Sequence, residues 1–425
     1  MSYDEFNDQE PRPIRMMENL AIAALVLALL SFVSPQVGMI GRGLRTAVPA
    51  LLVSMVAISR VDRSAFPQAF LRFRMVFLLG LLFLTQALIR FLFVPDHPMD
   101  LVHTYVVGPL LTFCFLLWFA ALSELGDPVI DRMRSWLLIG WCLSFAVSLP
   151  VLISNPGVAR LTMGNPNQVA NAARWAPYGV AEYTGYTTIA ICLSPLLGAL
   201  GPMSRLLRWP SFLLVMLAVL AVLFSTFTMA SAMAVLSLGA MLLVWSIAGR
   251  GPARVLRFLV VIMMAALVPT LFVLANSFEQ TKFVVEKTER LTRNISNKGL
   301  SKGDETERGA WFTNEMSAFA EEPFLGYIPG TTGMRGHGHS SLSNSLVLFG
   351  LFGTLLWIGT LLKVFRDSFE HARGRYDRHI LLVCWTVFIL SGVLNPIWYS
   401  CAALAALFAL TLPARQVQDF PPDWS

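Results

Sequence analysis

Two histidines separated by one glycine, His337 and His339, follow Arg335 in the stretch GMRGHGHSSLSN and stand at the foot of an apolar run. The chain has only 6 histidines, so this pairing beside a membrane-length segment asks for a chemical reason. Imidazole, with an ordinary pKa of about 6.5, can take a proton from a hydroxyl near neutral pH. The surrounding glycines let backbone approach a ligand closely. H-x-H by itself lacks the third ligand of a zinc site. Upstream, Arg308 lies one turn before Trp311 in TERGAWFTNEMSAFAEEPFLGY, and an earlier stretch, SNPGVARLTMGNPNQVANAARW, offers Arg160, Asn165, Asn167 and Arg174. A guanidinium grips phosphate in a bidentate fork and stays charged at any working pH. Two arginine-bearing segments with an imidazole nearby suit a bound anion and a hydroxyl to be deprotonated. Blander roles stay open for each. Arg160 and Arg174 can snorkel to lipid phosphates, Arg308 can pair with Glu305 or Glu315, and a loop histidine can cap the following helix.

The elements that must position these groups are membrane helices. Of 425 residues, 56% are hydrophobic and 14% charged, and the mean hydropathy is +0.63. Soluble domains carry roughly 25% charged residues, so lipid must solvate much of this surface. The net charge of +6 comes from short clusters between apolar runs, which is not a nucleic-acid footprint. Crossing ~30 Å of hydrocarbon takes roughly 17 to 25 residues. Runs near 17–34, 46–60, 75–94, 104–122, 136–153, 182–200, 211–228, 231–248, 257–275, 341–363, 380–395 and 397–413 are candidates, the second short and weak. The expected fold is an all-α polytopic membrane protein of about twelve transmembrane helices, with a large periplasmic loop containing short helices. Residues 1–275 hold the first nine helices and the outer loop 154–181. The large loop takes 276–340, the last three helices 341–413 and a cytoplasmic tail 414–425. All five cysteines fall inside apolar runs and read as small buried hydrophobes.

The first ten residues are acidic and lack the basic region of a cleaved signal, so the first run reads as a retained helix with Arg12 and Arg15 holding its start inside. With both termini in the cytoplasm, the inside loops collect Arg60, Arg63, Arg72, Arg74, Arg132, Arg134, Arg205, Arg208, Arg250, Arg254 and the basic set from Lys363 to Arg378. That is the positive-inside pattern. Arg42, Arg45, Arg160 and Arg174 go against it in short outer loops, which suggests that they have something to bind. In the large loop, Trp311 or Phe312, Met316 and Phe319 recur at helical spacing until Pro323, predicting a helix whose apolar side lies on the bundle.

The motifs R-G-A-W (308–311), E-E-P-F-L-G-Y (321–327) and the stretch from His337 through Ser345 to Gly350 and Gly353 occur in order. They resemble those of the bacterial O-antigen ligase/polymerase family. In that family an outer loop carries Arg, then Trp, then a Pro-Leu-Leu-Gly-like turn, then a histidine segment opening a glycine-containing helix. GNPNQVA (164–170), preceded by Arg160, is similar to the family's earlier outer-loop motif. Ala232, after Ser231, stands where many members carry the arginine of a Ser-Arg-Gly motif. The resemblance implies that this arginine holds the donor's diphosphate, and Arg160 or Arg174 would take that contact over here.

The resemblance further implies metal-independent glycosyl transfer on the periplasmic side of the inner membrane, with inversion at the anomeric centre and no cofactor. The donor would be an undecaprenyl-diphosphate-linked oligosaccharide, the acceptor a glycan. His339, or else His337, would be the base, with Arg308 and Arg160 on the diphosphate. Arg174, Asn167, Arg335, Trp311 and Asn344 would complete the diphosphate- and sugar-binding set. The expected activity is polymerisation of repeat units into O-antigen, capsule or exopolysaccharide, with a chain-length regulator as a possible partner. An O-antigen ligase acting on lipid A core uses the same donor and is the alternative. A flippase or other transporter of about twelve spans is the second, disfavoured by spans almost free of charge except Arg90 and by the lack of a two-half repeat.

Overall fold

A computed structural model of the protein describes residues 12–40, 44–92, 102–155, 157–162, 168–225, 227–248, 315–326, 340–372, 375–395 and 397–413. The first half contains α1 (Arg12–Val33), α2 (Pro35–Ile40), α3 (Leu44–Val61), α4 (Ala65–Arg72) and α5 (Arg74–Leu92). A π-helical turn, His103–Val107, leads into α6 (Gly108–Glu124), followed by α7 (Asp127–Ala146) and α8 (Leu149–Ser154). Then come α9 (Gln168–Trp175), α10 (Tyr183–Gly198), α11 (Arg205–Phe224) and α12 (Thr228–Ala248). Residues 315–321 form the short α13. The chain closes with α14 (Ser341–Glu370), α15 (Arg375–Leu394) and α16 (Cys401–Thr411). No strand occurs among the described residues.

Eight helices among the described residues are long and apolar enough to cross a membrane. The surface pattern agrees with a membrane-embedded protein. On α5, Val76, Gly80, Phe83, Ala87 and Phe91 form one buried stripe, while Leu78, Leu81, Leu82, Leu88 and Ile89 are exposed. A soluble helix would put polar side chains on that outer face; here leucine faces the surroundings, which suits hydrocarbon. At the centre the pattern changes. Every residue of α10 from Tyr186 to Leu196 is buried, and this helix packs against α11, α12, α15 and α16. A helix apolar all round belongs inside a bundle.

Eleven of the twelve expected runs coincide with helices; the ninth, 257–275, lies outside the described residues. Two are shorter than expected: α10 has 16 residues and α16 has 11. At 1.5 Å per residue, α16 rises only about 16 Å. The expected twelfth run began at 397, but residues 397–400 form a turn, and α16 starts only after Ser400, whose hydroxyl accepts from Ala403 N. The weak second run became α3, a full 18 residues. The helix expected in the large loop is present in part: α13 ends before Pro323, Ala318 is buried and Met316 and Phe319 are half-buried. Its beginning, with Arg308 and Trp311, lies outside the described residues. The cysteine reading agrees with the fold: all five are free thiols, four buried and Cys114 half-buried.

Of the arginines expected on the inner face, Arg72, Arg132 and Arg134 gather at one end of the bundle. Arg72 meets Glu124 at 3.4 Å and donates to the carbonyl of Pro413 at 3.3 Å. Arg132 pairs with Glu18, and Arg134 donates to Leu412 O at 2.7 Å. These contacts join the starts of α1 and α7 to the ends of α4, α6 and α16. At the opposite end, Ser34 and Ser144 share a hydrogen bond of 2.8 Å and Gln36 donates to Ser144 O at 3.0 Å.

Candidate functional site

The opening of α14 is held by a polar ladder. The Ser340 hydroxyl caps the helix, accepting from Leu342 N and Ser343 N at 3.2 and 3.4 Å. The Ser341 hydroxyl donates to Asn395 O at 2.8 Å and accepts from Trp398 N at 2.9 Å, fastening the helix to the turn between α15 and α16. Asn344, only 5% exposed, is hydrogen-bonded to the Tyr105 hydroxyl. Ser345 donates to Ser341 O at 2.6 Å and shares a hydrogen bond with the Tyr399 hydroxyl. The two tyrosine rings meet edge to face, 4.8 Å apart, and Tyr399 stacks on Trp357 at 5.1 Å. Serine and asparagine at this density destabilise a helix interior unless their side chains find partners; here they do.

Glu315, in the first turn of α13, comes down onto this ladder and accepts from the Ser343 hydroxyl. Burial raises its pKa, and the Ser343 hydrogen bond offsets part of that rise.

Two turns further on, α14 breaks. Gly350 has φ 62° and ψ −169°, which no helix accommodates. The turn after α13 fills the gap: Leu351 N donates to Pro323 O at 2.8 Å and Phe352 N to Phe324 O at 3.2 Å. Gln86 of α5 donates to the freed Phe349 carbonyl at 2.9 Å. Three backbone groups freed by the break, Leu351 N, Phe352 N and Phe349 O, therefore have partners, as burial requires. Gly326, at φ 84°, faces Gly350, and a Cβ on Gly326 would lie 2.5 Å from both Gly350 N and Leu348 O. A Cβ on Gly350 would lie equally close, 2.5 Å, to Gly326 N and Phe324 O. Two backbones touch here because neither has a side chain.

The other outer segment is a separate local unit. Arg160 sits in a 3-10 turn, Val158–Thr162, whose Val158, Ala159 and Thr162 are buried and which packs on α9 and α10. Arg160 is half-buried, and burial lowers its pKa. Arg174 closes α9, exposed, with its guanidinium 5.2 Å from the ring centroid of Trp175. Asn171 donates to Leu161 O at 3.1 Å, tying α9 to the turn. The two arginine-bearing elements are thus packed together.

Of the residues singled out from the sequence, Arg160, Arg174 and Asn344 are placed as above. His337, His339, Arg308, Arg335, Trp311 and Asn167 lie outside the described residues. Among the described residues no three His, Cys, Asp or Glu side chains gather as metal ligands. Sequence reasoning missed Tyr105, Tyr399 and Gln86. Gln86 did carry a signal, being the sole amide in RMVFLLGLLFLTQALIRFL. No protein-family model matches the chain, and no curated protein matches it.

Proposed function

We propose that this membrane protein is a glycosyltransferase that polymerises undecaprenyl-diphosphate-linked oligosaccharide repeats into a surface polysaccharide on the periplasmic side of the bacterial inner membrane. The reading is carried by the clasp between Gly326 and Gly350. Two motifs whose clasping glycines stand 24 positions apart in the sequence, EEPFLGY and LVLFGLFG, are in backbone contact. The segment 327–339, which holds Arg335, His337 and His339, starts at that clasp and ends at the cap of α14. Further support comes from the packing of the Arg160 turn on the Arg174 helix.

In this reading Arg308 and Arg160, with Arg174, hold the donor's diphosphate. His339, or His337 in its place, takes the proton from the acceptor hydroxyl. The hydroxyl oxygen attacks the anomeric carbon as the bond to the phosphate oxygen breaks, and undecaprenyl diphosphate departs with the electron pair. Fixed cations stabilise the charge that develops on the leaving diphosphate, most effectively in a partly dry site. Arg335, Trp311, Asn167 and Asn344 contact the diphosphate or sugars. Transfer to lipid A core instead of a growing chain would use the same donor chemistry. The break in α14 also suits a transporter, whose sites lie at discontinuous helices. Here, however, protein backbone fills the break.

The test is complementation of a deletion strain with Arg308→Ala and His339→Ala, scored for polymer and for the sidedness of lipid-linked repeats. Both variants should reach the membrane at normal levels and lose chain extension by at least about a hundredfold, the scale of a lost acid–base or charge-stabilising group. Single repeats should then accumulate on the outer leaflet. Full-length polymer from Arg308→Ala, or repeats held on the inner leaflet, would overturn the proposal. Finished polymer left on its lipid carrier would assign the ligase instead.

A further inference from the structure

At the charged end of the bundle lies a cavity of about 1450 Å³, bordered by the starts of α7, α11 and α15 and the ends of α10 and α16. Its lining combines two chemistries. One part is apolar, with Trp136 and Ile139 of α7, Leu207 of α11, and Ile380 and Leu381 of α15. The other part carries Arg132, Arg134, Arg205 and Arg208 together with Asp127, Asp131 and Asp377.

These charges do not simply cancel. Arg132 is taken by Glu18, outside the lining, and Arg134 is near Asp131 at 3.8 Å. Asp127 and Asp377 sit in the first turns of α7 and α15, where the helix dipole already stabilises a carboxylate. Arg208 donates to two neutral carbonyls, Gly201 O at 2.9 Å and Met203 O at 3.2 Å, which fix its position without neutralising it. Arg205 is exposed, and the first turn of α11 holds no acid. Arg205 and Arg208 thus give the rim two cations with no ionic partner among the described residues.

Three of the bordering helices, α7, α11 and α15, are long and apolar enough to cross a membrane and begin at the cavity, so its mouth falls at the ends of spans, where headgroups lie. Trp136 is exposed, and Trp209, next to Arg208, is 73% exposed; tryptophan favours that boundary. We propose that this cavity binds an anionic glycerophospholipid, its phosphate between Arg205 and Arg208 and its upper acyl chains along Trp136, Ile139 and Leu207. A free phosphate would satisfy the arginines but leave the apolar wall and most of the volume unused. A zwitterionic lipid would bring a cationic headgroup against the same arginines. Basic pockets between helices on the cytoplasmic side suit acidic headgroups for this reason.

The experiment uses the full chain purified in a neutral detergent. Dioleoylphosphatidylglycerol, dioleoylphosphatidylcholine and inorganic phosphate are titrated separately, and bound lipid is read by native mass spectrometry alongside the melting temperature. Phosphatidylglycerol should bind and raise the melting temperature; phosphatidylcholine and inorganic phosphate should not. Arg205→Gln with Arg208→Gln should weaken phosphatidylglycerol binding about thirtyfold. Arg205→Gln alone, which removes no hydrogen bond among the described residues, should weaken it about fivefold and covers the case in which the double variant unfolds. Equal binding of phosphatidylcholine, an equal shift with inorganic phosphate, or undiminished phosphatidylglycerol binding by Arg205→Gln would each overturn the proposal.

Discussion

Glu315 illustrates how one side chain reports on its surroundings. A half-buried carboxyl with a raised pKa is stabilised in its protonated form by the fold, so the folded state holds its proton to higher pH than the unfolded chain does. Its unfavourable effect is therefore absent at low pH and develops as pH climbs above the ordinary glutamate range, roughly pH 4 to 5. Glu315→Gln keeps an acceptor for Ser343 without the charge. Its melting temperature should match the parent near pH 4 and exceed it at pH 7, a comparison made directly by thermal unfolding in detergent; a constant offset across pH would contradict the assignment. Tyr105 makes a different prediction. Tyr105→Phe removes one hydrogen bond to the buried Asn344 amide and should cost about 0.5–1.5 kcal/mol, read as lost thermal stability. In the sequence Glu315 stood out only as a possible partner of Arg308, and Tyr105 not at all. Tyr105 opens an apolar run with several other aromatics, and its importance comes from the Asn344 that the fold places against its hydroxyl.

At the level of elements, the informative feature is a helix that stops and restarts. The run 341–363 was legible as a span because its apolar length is long, yet nothing in LVLFGLFGT marks Gly350 as a break. Glycine is frequent in membrane helices, and Gly353, three residues on, lies within the helix. The break is decided by a partner 24 positions earlier, which no local pattern contains. Gly326→Ala and Gly350→Ala should each cost about 3 kcal/mol or more, since both add a Cβ at positive φ against backbone that cannot move aside. Gln86→Leu should cost about 1–3 kcal/mol, by stranding the Phe349 carbonyl. If all three variants melt with the parent, the clasp contributes nothing to stability. By contrast, the helical caps were partly readable: serine stands before α11, α14 and α16, and each accepts from the first turn.

For the molecule as a whole, positive-charge bookkeeping predicted which helix ends belong together, and Arg72, Arg132 and Arg134 do meet at one end. The pattern was readable because charge and hydrophobic length are properties of composition. The central burial of α10 and the shortness of α16 were not, because an apolar run looks alike whether lipid or protein surrounds it. The proposed orientation has a direct check. Four native cysteines are buried and Cys114 is half-buried, so labelling background should be low. On intact cells a membrane-impermeant maleimide should label Tyr178→Cys and spare Ser204→Cys; the reverse would invert the topology. The clasp also has a geometric corollary. The described residues on either side of 327–339 meet the same helix: Gly326 lies against Gly350, and Ser340 is the cap of α14. Both anchor points ride on a single rod, so any tilt of α14 moves them together.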